Sequence, residues 1–557
     1  EYIIREVLLG VTICFAQIPE SVAFAFMANI KPPIALHAAW MVGLIVSAFG
    51  GRPGMVNGAT GAFAAIIGTF IPSAGTGNNG EHVELLFPSV IFAGFLMLLV
   101  SATRLSRFIT LLPAPVMIGF CNGLAIVIGL AQLHPFKDAE THHWKTGGEM
   151  AWMLTICITS MLIMEFLPKL PLKILKVVPS SLIAVLWAIL VEFVIVRPTG
   201  SRTDVIGDVS EFTLDTAFPI PFFVKTDAVS YDLTHIWEWE NLQKILVQGF
   251  LLCTVGTIES LMTSEVVEAF VKTPSDGDRT VLAMGVGNLL SGFLGGMGGN
   301  AMIGLSTVNC LNGGRGRLGP CVAAIGIAAC VMGAYPLLNF IPVAALAGIM
   351  LVVVIHTFKW FSVGMLAAAI LPKKWRHELG PRFQQKVPRV EVFVIFLVTV
   401  LSNWPNGTNI AYAVGAGLSV CAINYAWNSG NLLEVEESIS EDGIKYYDVT
   451  GPLFFAASNR FMKMVKPDTD PDRVDIRFSS STSIMDYSAM ETLHKIAVEY
   501  QAKGKTVTFH SLCPNSEKLI LKANHLVRSI EYTSRDVDVK DVHTSLPHAG
   551  EPTDMVG

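Results

Sequence analysis

Residues 51–64 read GRPGMVNGATGAFA, and residues 295–307, about 240 positions further on, read GGMGGNAMIGLST. Each stretch is a glycine-rich run followed by an apolar segment shorter than the roughly 20 residues that a membrane-spanning helix needs. Paired interrupted segments in the two halves of a membrane protein indicate the binding site of a transporter. A half-helix that begins at mid-membrane directs unpaired N–H groups and its positive dipole end at the cavity, where an anion can bind.

The composition indicates a polytopic membrane protein with a soluble tail. Hydrophobic residues make up 52% of the 557 positions and charged residues 15%, with a mean hydropathy of +0.53. A soluble domain carries about a quarter charged residues. The nine cysteines have no CxxC spacing, so we expect small core residues rather than a disulfide framework or zinc site. Neither enzyme activity nor a nucleic-acid partner is expected.

Apolar segments predict fourteen transmembrane spans, of which the two short glycine-led segments near 58–71 and 300–311 are the third and tenth. We place the twelve long spans near 5–30, 33–50, 84–103, 108–131, 150–167, 174–196, 243–271, 279–294, 320–340, 343–357, 390–404 and 408–427. Pro19 is predicted to interrupt the first span. Residues 358–371 are predicted as an amphipathic interfacial helix rather than another crossing.

The loops predict the orientation. With the N-terminus inside, Lys and Arg concentrate in the inner loops, whereas the outer loop 72–83 has none and the outer loop 198–240 is rich in acidic residues. This alternation follows the positive-inside rule and places both termini in the cytoplasm, with the plasma membrane as the expected location. Seven spans per half require the second half to be inverted. The predicted fold of residues 1–430 is therefore a 7+7 inverted repeat of transmembrane helices.

The composition changes near residue 436. An acidic linker at 434–442 is predicted to precede a small cytoplasmic α/β domain over 436–545, followed by a disordered tail at 546–557. The predicted strands are 445–450, 474–478 and 506–508, and the predicted helices are 453–465, 487–502 and 515–525.

Carboxylates within apolar spans are costly and indicate function. Glu20 follows Pro19 in the first span, and Glu259 lies in the eighth with Thr263 four residues on, on the same helical face. A carboxylate and a hydroxyl so arranged could hold a small hard cation, and either acid could instead carry a coupling proton. Glu165 and Glu192 are at predicted span ends, where we expect them to reach the membrane interface.

Polar residues also begin the two half-helices. These helices could be capped by Asn57, Thr60, Asn300, Ser306 and Thr307, and at such positions these side chains could equally donate hydrogen bonds to a substrate.

Several motifs resemble the SulP (sulfate permease) family, the solute carrier 26 type of anion transporter, over nearly the whole chain. They are residues 18–25 (IPESVAFA), 259–264 (ESLMTS) and 285–296 (GVGNLLSGFLGG), with Asn309 and Gly313-Gly314-Arg315 following. The tail resembles a STAS domain, in which residues 474–478 (VDIRF) form a core strand and residues 486–490 (DYSAM) a loop-to-helix junction.

The resemblance implies an elevator-type homodimer in the bilayer, with a core of helices 1–4 and 8–11 and a gate of helices 5–7 and 12–14. The substrate would bind between the third and tenth half-helices. The residues implied are Glu20, Phe24, Asn57, Ala59, Thr60, Gly61, Asn300, Ala301, Met302 and Ile303. In the sodium-coupled bicarbonate branch, the positions of Glu259 and Thr263 hold Na⁺. No cofactor is expected, with a bound Na⁺ as a possible exception.

Three positions depart from the family pattern. Leu305 stands where many members have an arginine, Glu20 where many have Gln, and Tyr487 where related bacterial regulators are phosphorylated on Ser. Two acids without an arginine disfavour a bare divalent anion, unless a cation or proton restores the charge balance. We therefore expect a secondary transporter of a small inorganic anion, bicarbonate ahead of sulfate, coupled to Na⁺ or H⁺.

Other functions stay open. These are an uncoupled anion channel, exchanger or voltage-responsive motor, a nucleobase carrier of the same 7+7 fold, and a sensor that signals through the STAS domain. The carboxylates argue against an anion pore, and the α/β tail argues against a nucleobase carrier.

Overall fold

The computed structural model of the protein describes residues 2–71, 82–109, 113–138, 143–169, 179–210, 212–225, 231–370, 388–404, 410–479, 482–522, 531–534 and 543–544. The chain forms two units, Glu1–Leu418 and Ser419–Gly557. The predicted tail at 546–557 lies outside the described residues. The domain boundary predicted near residues 430–436 falls after the division between the two units.

Each of the fourteen predicted spans corresponds to a helix in the described part of the chain. These are α1 Tyr2–Met27, α2 Pro32–Phe49, α3 Gly61–Phe70, α4 Leu86–Ala102, α5 Ala114–Ala131, α6 Gly148–Phe166, α7 Ser180–Leu190, α8 Trp239–Val271, α9 Gly277–Phe293, α10 Ile303–Leu311, α11 Leu318–Gly333, α12 Val343–Thr357, α13 Arg389–Ser402 and α14 Ile410–Gly430. Among the described residues, seven helices are long and apolar enough to cross a membrane by themselves.

Shorter elements complete the first unit. A π-helix, Val191–Val196, continues α7, and a helix at Phe361–Ile370 follows α12 at an angle of 51°. Two two-residue strands, β1 Asn57–Gly58 and β2 Asn300–Ala301, precede the short helices α3 and α10. Single helical turns lie at Val83–Leu85, Ser106–Ile109, His134–Phe136, Leu167–Lys169, Arg197–Thr199, Ile206–Val209, Leu214–Ala217, Thr234–Trp237 and Tyr335–Leu338.

The helices pack in two groups. In the first, α1, α2 and α11 pack together, and α4 packs on α8 and α9. Small residues allow this approach, since a Cβ on Gly94 of α4 would lie 2.8 Å from the carbonyl of Gly285 of α9. In the second group, α5 packs on α13 and α6 on α12. These groups match the core and gate that the resemblance implies.

Two expectations about the spans are wrong. Pro19 does not interrupt the first span, because α1 runs without a break from residue 2 to residue 27. Proline removes one N–H, and a buried transmembrane helix tolerates this where neighbouring helices support it. Glu192 does not reach the membrane interface, because its side chain is fully buried. Its carboxylate accepts hydrogen bonds from the Thr203 hydroxyl at 2.7 Å and from Arg197 at 3.3 Å.

The second unit is a six-stranded sheet with helices between its parallel strands. The strands are β3 Glu434–Ile439, β4 Lys445–Thr450, β5 Arg473–Phe478, β6 Thr506–Leu512, β7 Glu531–Ser534 and β8 His543–Thr544, and they lie in that order. β4 to β7 are parallel, and β3 and β8 pair antiparallel at the edges. The helices are α15 Phe455–Met464, α16 Tyr487–Ala502 and α17 Pro514–Lys522. The predicted acidic linker is wrong at 434–439, which forms β3.

A buried carboxylate organises one end of this sheet. Asp470 accepts hydrogen bonds from Lys445 at 2.7 Å, from Tyr447 at 2.8 Å and from Tyr500. Burial lowers the pKa of Lys445, but hydrogen bonds to Asp470 and Glu437 outweigh this and hold the pKa above its usual range. A lysine whose pKa rises on folding stabilises the fold below its ordinary pKa and loses that contribution only as the pH rises through the folded value. The network therefore stabilises the unit at neutral pH.

We expect Asp470→Asn to destabilise the second unit by about 3 kcal/mol, because the buried ammonium of Lys445 loses one of its two carboxylate partners. Hydrogen exchange of the full-length protein, followed by mass spectrometry, would show reduced protection of β4 and β5. Asp468→Asn is the control, since the Asp468–Lys503 pair lies at the surface, where water screens it and it contributes little to stability. Equal protection in the two variants would contradict a stabilising role for Asp470.

Candidate anion-binding site between the two half-helices

Two short strands bring the starts of the half-helices together. β1 pairs antiparallel with β2, with Asn57 opposite Ala301 and Gly58 opposite Asn300. α3 and α10 begin directly after these strands. The first N–H groups of a helix have no partner within it, so each half-helix presents donors and a positive dipole end beside the strand pair. The two glycine-led segments are thus joined as one two-stranded sheet.

Glycine is required where the two strands approach each other. A Cβ on Gly299 would overlap the carbonyl group of Gly58, and a Cβ on Gly58 would meet the side-chain amide of Gln17. Gln17, from α1, donates a hydrogen bond to the carbonyl of Asn57 at 3.0 Å. The close approach lets backbone of the third and tenth segments pair directly, without side chains between them.

Helix α8 contacts the strand pair through the side chains of Glu259 and Ser260. Glu259 is buried, and one of its carboxylate oxygens accepts a hydrogen bond from the Asn300 side-chain amide at 2.6 Å. The next residue, Ser260, accepts a hydrogen bond from the backbone N–H of Ala301 at 3.0 Å. Thr263 donates to the carbonyl of Glu259 at 2.7 Å, which leaves the lone pairs of its hydroxyl oxygen for another partner. The predicted cation-site residues are therefore adjacent to the predicted anion-site residues.

Three buried side-chain oxygens on the two strands and at the start of α3 form no hydrogen bond with any described residue. They are the side-chain oxygens of Asn57, Thr60 and Asn300. Both asparagine amide nitrogens donate to oxygen atoms, Asn57 to Met55 and Asn300 to Glu259, so the amide orientations follow from their partners. Buried polar groups in folded proteins almost always have a partner. Clustered unpartnered oxygens indicate a place for a ligand or water.

Helix α1 supplies the other side of the site. Glu20 and Phe24 are buried and one turn apart. A Cβ on Gly61, the first residue of α3, would lie 3.1 Å from the Phe24 ring and 2.5 Å from Ile128 of α5. Phe24 therefore lies against the start of the half-helix. No hydrogen bond connects the Glu20 carboxylate to any described residue.

The remaining predicted site residues lie directly after the two strands, where α3 and α10 begin. Ala59 is fully buried between β1 and α3, and Met302 caps α10 and donates its N–H to the carbonyl of Val56 at 2.9 Å. Ile303 is the first residue of α10, and Leu305 is buried within it. The structure thus groups the predicted residues around one strand pair, and their roles toward substrate remain predictions.

Two further residues hold the strand pair: Asn288, to which sequence reasoning gave no role, and Ser306, which it named as a helix cap or a hydrogen-bond donor to substrate. Asn288 of α9 is fully buried and binds both polar groups of Gly299, accepting from the N–H at 2.8 Å and donating to the carbonyl at 3.0 Å. Ser306 of α10 accepts from the N–H of Val56 at 2.9 Å and donates to its carbonyl at 3.3 Å. Asn288 lies within the glycine-rich motif 285–296, and a polar side chain at this position could have indicated its structural role.

Comparisons with known proteins show the family of the chain. The model of the sulfate permease family matches residues 3–363. The chain is 28% identical to the putative sulfate transporter YbaR of Bacillus subtilis over 93% of this chain and 96% of that one. It is 25% identical to the bicarbonate transporter BicA of a Picosynechococcus strain over 74% of this chain and 68% of that one.

Solved structures show the same fold. The structure of SLC26A9 superposes with a TM-score of 0.73 at 15% identity, over 94% of this chain and 86% of that one. The transmembrane domain of a cyanobacterial bicarbonate transporter BicA superposes with a TM-score of 0.54 at 21% identity, over 72% of this chain and 97% of that one.

Proposed function

Because the chain belongs to the sulfate permease family, we propose that it is a secondary active transporter of a small inorganic anion, coupled to Na⁺ or H⁺. Its relatives are transporters rather than enzymes, and two of them are named for sulfate and for bicarbonate. The chain is accordingly an integral membrane protein of an anion transporter family. Among the anions, bicarbonate is favoured over sulfate.

The observation that carries the proposal is the strand pair with its two half-helix N-termini. Two positive dipole ends meet beside one another, and backbone N–H groups are there to receive an anion. The unpartnered oxygens of Asn57 and Asn300 lie beside them and accept hydrogen bonds. Bicarbonate carries a hydroxyl that donates to such an oxygen, whereas sulfate at neutral pH has acceptors alone. This difference in donor chemistry supports bicarbonate.

Charge balance supports the same choice. The site contains Glu20 and Glu259, and Leu305 supplies no charge where many family members have an arginine. A monovalent anion accompanied by Na⁺ or a proton leaves less uncompensated charge in a low-dielectric site than a divalent one. Cation-coupled uptake of a monovalent anion therefore fits these residues.

The coupling cation has suitable ligands. Glu259, Thr263 and the Asn300 side-chain oxygen provide carboxylate, hydroxyl and amide oxygens, the donor types that hard cations prefer. Among the described residues, no three His, Cys, Asp or Glu side chains are grouped so as to hold a metal ion. A weakly held monovalent cation accords with a single carboxylate, and protonation of Glu259 is the alternative.

Three further features belong to the proposal. The core and gate groups of helices would move past one another as an elevator, two chains would form a homodimer, and the second unit would be a cytoplasmic STAS domain. The parallel strands β4 to β7 with intervening helices support the last of these. The plasma membrane is the proposed location, with both termini inside.

Uptake measurements test the function. In proteoliposomes that contain the purified full-length protein, we expect radiolabelled bicarbonate uptake to exceed sulfate uptake and to require an inward Na⁺ or H⁺ gradient. The two gradients should be varied separately, and nucleobase uptake measured in parallel. Equal flux without either gradient would indicate a channel or exchanger. Nucleobase uptake alone would indicate a nucleobase carrier, and the absence of any flux would favour a sensor.

A further inference from the structure

The described core residues that surround the strand pair, as named above, include no lysine or arginine. Two arginines of the core, Arg52 and Arg317, are bound to the protein: Arg52 donates to the backbone and side chain of Thr273. Arg317 donates to the carbonyls of Ser47, Ala48 and Gly50, at the end of α2. These guanidinium groups stabilise loops and a helix end. A side chain that attracts the anion must therefore come from another part of the fold.

Lys359 lies at the break between α12 and the helix Phe361–Ile370. The chain is extended at Phe358, and the two helices are inclined by 51°. Asn122, a buried residue in the middle of α5, holds this break with both ends of its amide. Its oxygen accepts from the N–H of Lys359 at 2.8 Å, and its nitrogen donates to the Ser362 hydroxyl at 2.8 Å. The break is thus fixed to the middle turns of α5.

The face of α5 next to this break is directed toward the core. On one face, Gly119 and Gly123 pack on α13, against Val398 and Ser402. On another face, Ile128 contacts the start of α3 at Gly61. Cys121 lies seven residues before Ile128, which is two helical turns and about 10 Å along the same face. Cys121 and Ile128 therefore both face the half-helices.

Charged side chains from both the core and the gate lie near the face of α5 that contains Cys121. The Lys359 ammonium, from the gate, and the Glu259 carboxylate, from the core, both lie within electrostatic range of the Cys121 thiol. Lys359 is half-buried and forms no ion pair with any residue that the structure describes. A lysine within a membrane protein, beside transmembrane helices and without a counter-ion, is costly unless it serves a charged partner.

We propose that Lys359 is the gate-side cation for the transported anion, which it attracts to the boundary between α5 and the half-helix N-termini. It supplies from the gate the positive charge that Leu305 does not supply from the core. The inference rests on the proposed function and assigns a specificity-determining residue to it. Because Lys359 and Glu259 belong to different helix groups, movement of one group past the other changes the field that the anion experiences.

The test compares Lys359→Gln with Lys359→Arg and with the wild type. Both variants keep the backbone N–H of residue 359, from which the Asn122 side-chain oxygen accepts a hydrogen bond, so the helix break is preserved. A unit charge roughly 10 Å away, at an effective dielectric of about 20, changes affinity by about tenfold. We expect Lys359→Gln to raise the KM for bicarbonate by about that factor and the KM for sulfate by more, because the energy scales with anion charge. The maximal rate should change less, and Lys359→Arg should retain the wild-type KM.

Lys169→Gln is the control, since Lys169 is an exposed gate lysine paired with Glu165. An unchanged KM for both anions in Lys359→Gln would overturn the inference while the proposed function stands. A lower maximal rate at unchanged KM would do the same, because it indicates a role in movement rather than attraction. A wild type without flux would contradict the proposed function instead.

If the wild type shows no flux, thermal unfolding in detergent tests the role of Lys359 directly. Stabilisation of the wild type by bicarbonate or sulfate relative to gluconate, absent in Lys359→Gln, would support an anion site at this lysine. Equal behaviour of the two proteins would overturn it.

Discussion

Replacing Glu259 by Gln is expected to abolish cation-coupled uptake. Gln keeps the size of the side chain and an oxygen that can accept from Asn300, but it removes the charge and the titratable proton. At an effective dielectric of about 20, a carboxylate about 4 Å from a cation contributes about 4 kcal/mol, or about a thousandfold in affinity. Na⁺ coupling and H⁺ coupling should therefore both be lost. The measurement is bicarbonate uptake in proteoliposomes under imposed Na⁺ or pH gradients.

Two comparisons make the result specific. Glu240→Gln changes an exposed carboxylate in the first turn of the same helix, paired with Lys244, and should leave uptake unchanged. Thr263→Val should weaken Na⁺-driven uptake and spare H⁺-driven uptake, because it removes an oxygen ligand and no titratable group. Gradient-dependent uptake in Glu259→Gln at the wild-type level would show that the coupling site lies elsewhere.

Replacing Gly299 by Ala is expected to disrupt the site and to destabilise the protein. The added Cβ would overlap the carbonyl group of Gly58, and backbone atoms cannot move aside as a flexible side chain can. Overpacking of this kind costs about 3 kcal/mol. Separation of β1 from β2 would also move the two half-helix N-termini apart. We expect a lower apparent melting temperature in detergent and the loss of uptake for every anion that the wild type transports.

Gly333→Ala is the matched control, because a Cβ at this position of α11 would meet no atom within 4 Å. Alanine is also the better helix former, so the control should be as stable as the wild type. If Gly299→Ala matched the control in both stability and uptake, the direct approach of the two strands would not be required for transport.

Much of the architecture could be predicted because lipid restricts a chain severely. Within the bilayer, backbone polar groups must be satisfied internally, so long apolar runs can form little but helices. The two glycine-led runs are too short to span, and their place in each half followed from counting the spans. In the second unit, β4 begins and ends where alternation of residues predicted, and α16 begins after Asp486, whose side chain accepts from the N–H of Ala489.

The errors have a common physical origin. Pro19 predicts a break by local rules, yet α1 continues because neighbouring helices enclose it. Glu192 was expected at the interface, but Thr203 and Arg197 partner it inside the protein. The acidic run at 434–439 has the composition of a linker, yet it pairs with β4 as an edge strand. In each case, a contact distant in the sequence or contributed by another element outweighed a local preference.

The sequence by itself determined the membrane class, the fourteen helices, the two half-helices and the acidic eighth span, because each depends on local hydrophobicity, length and charge. The tertiary structure alone decided that β1 pairs with β2, that Asn300 binds Glu259, and that Asn122 accepts a hydrogen bond from the backbone N–H of Lys359. These residues are between 41 and more than 240 positions apart, and their contacts depend on how helices pack. Contacts between residues so far apart leave no periodic pattern in the sequence, so only the packing of the helices shows which residues form the site.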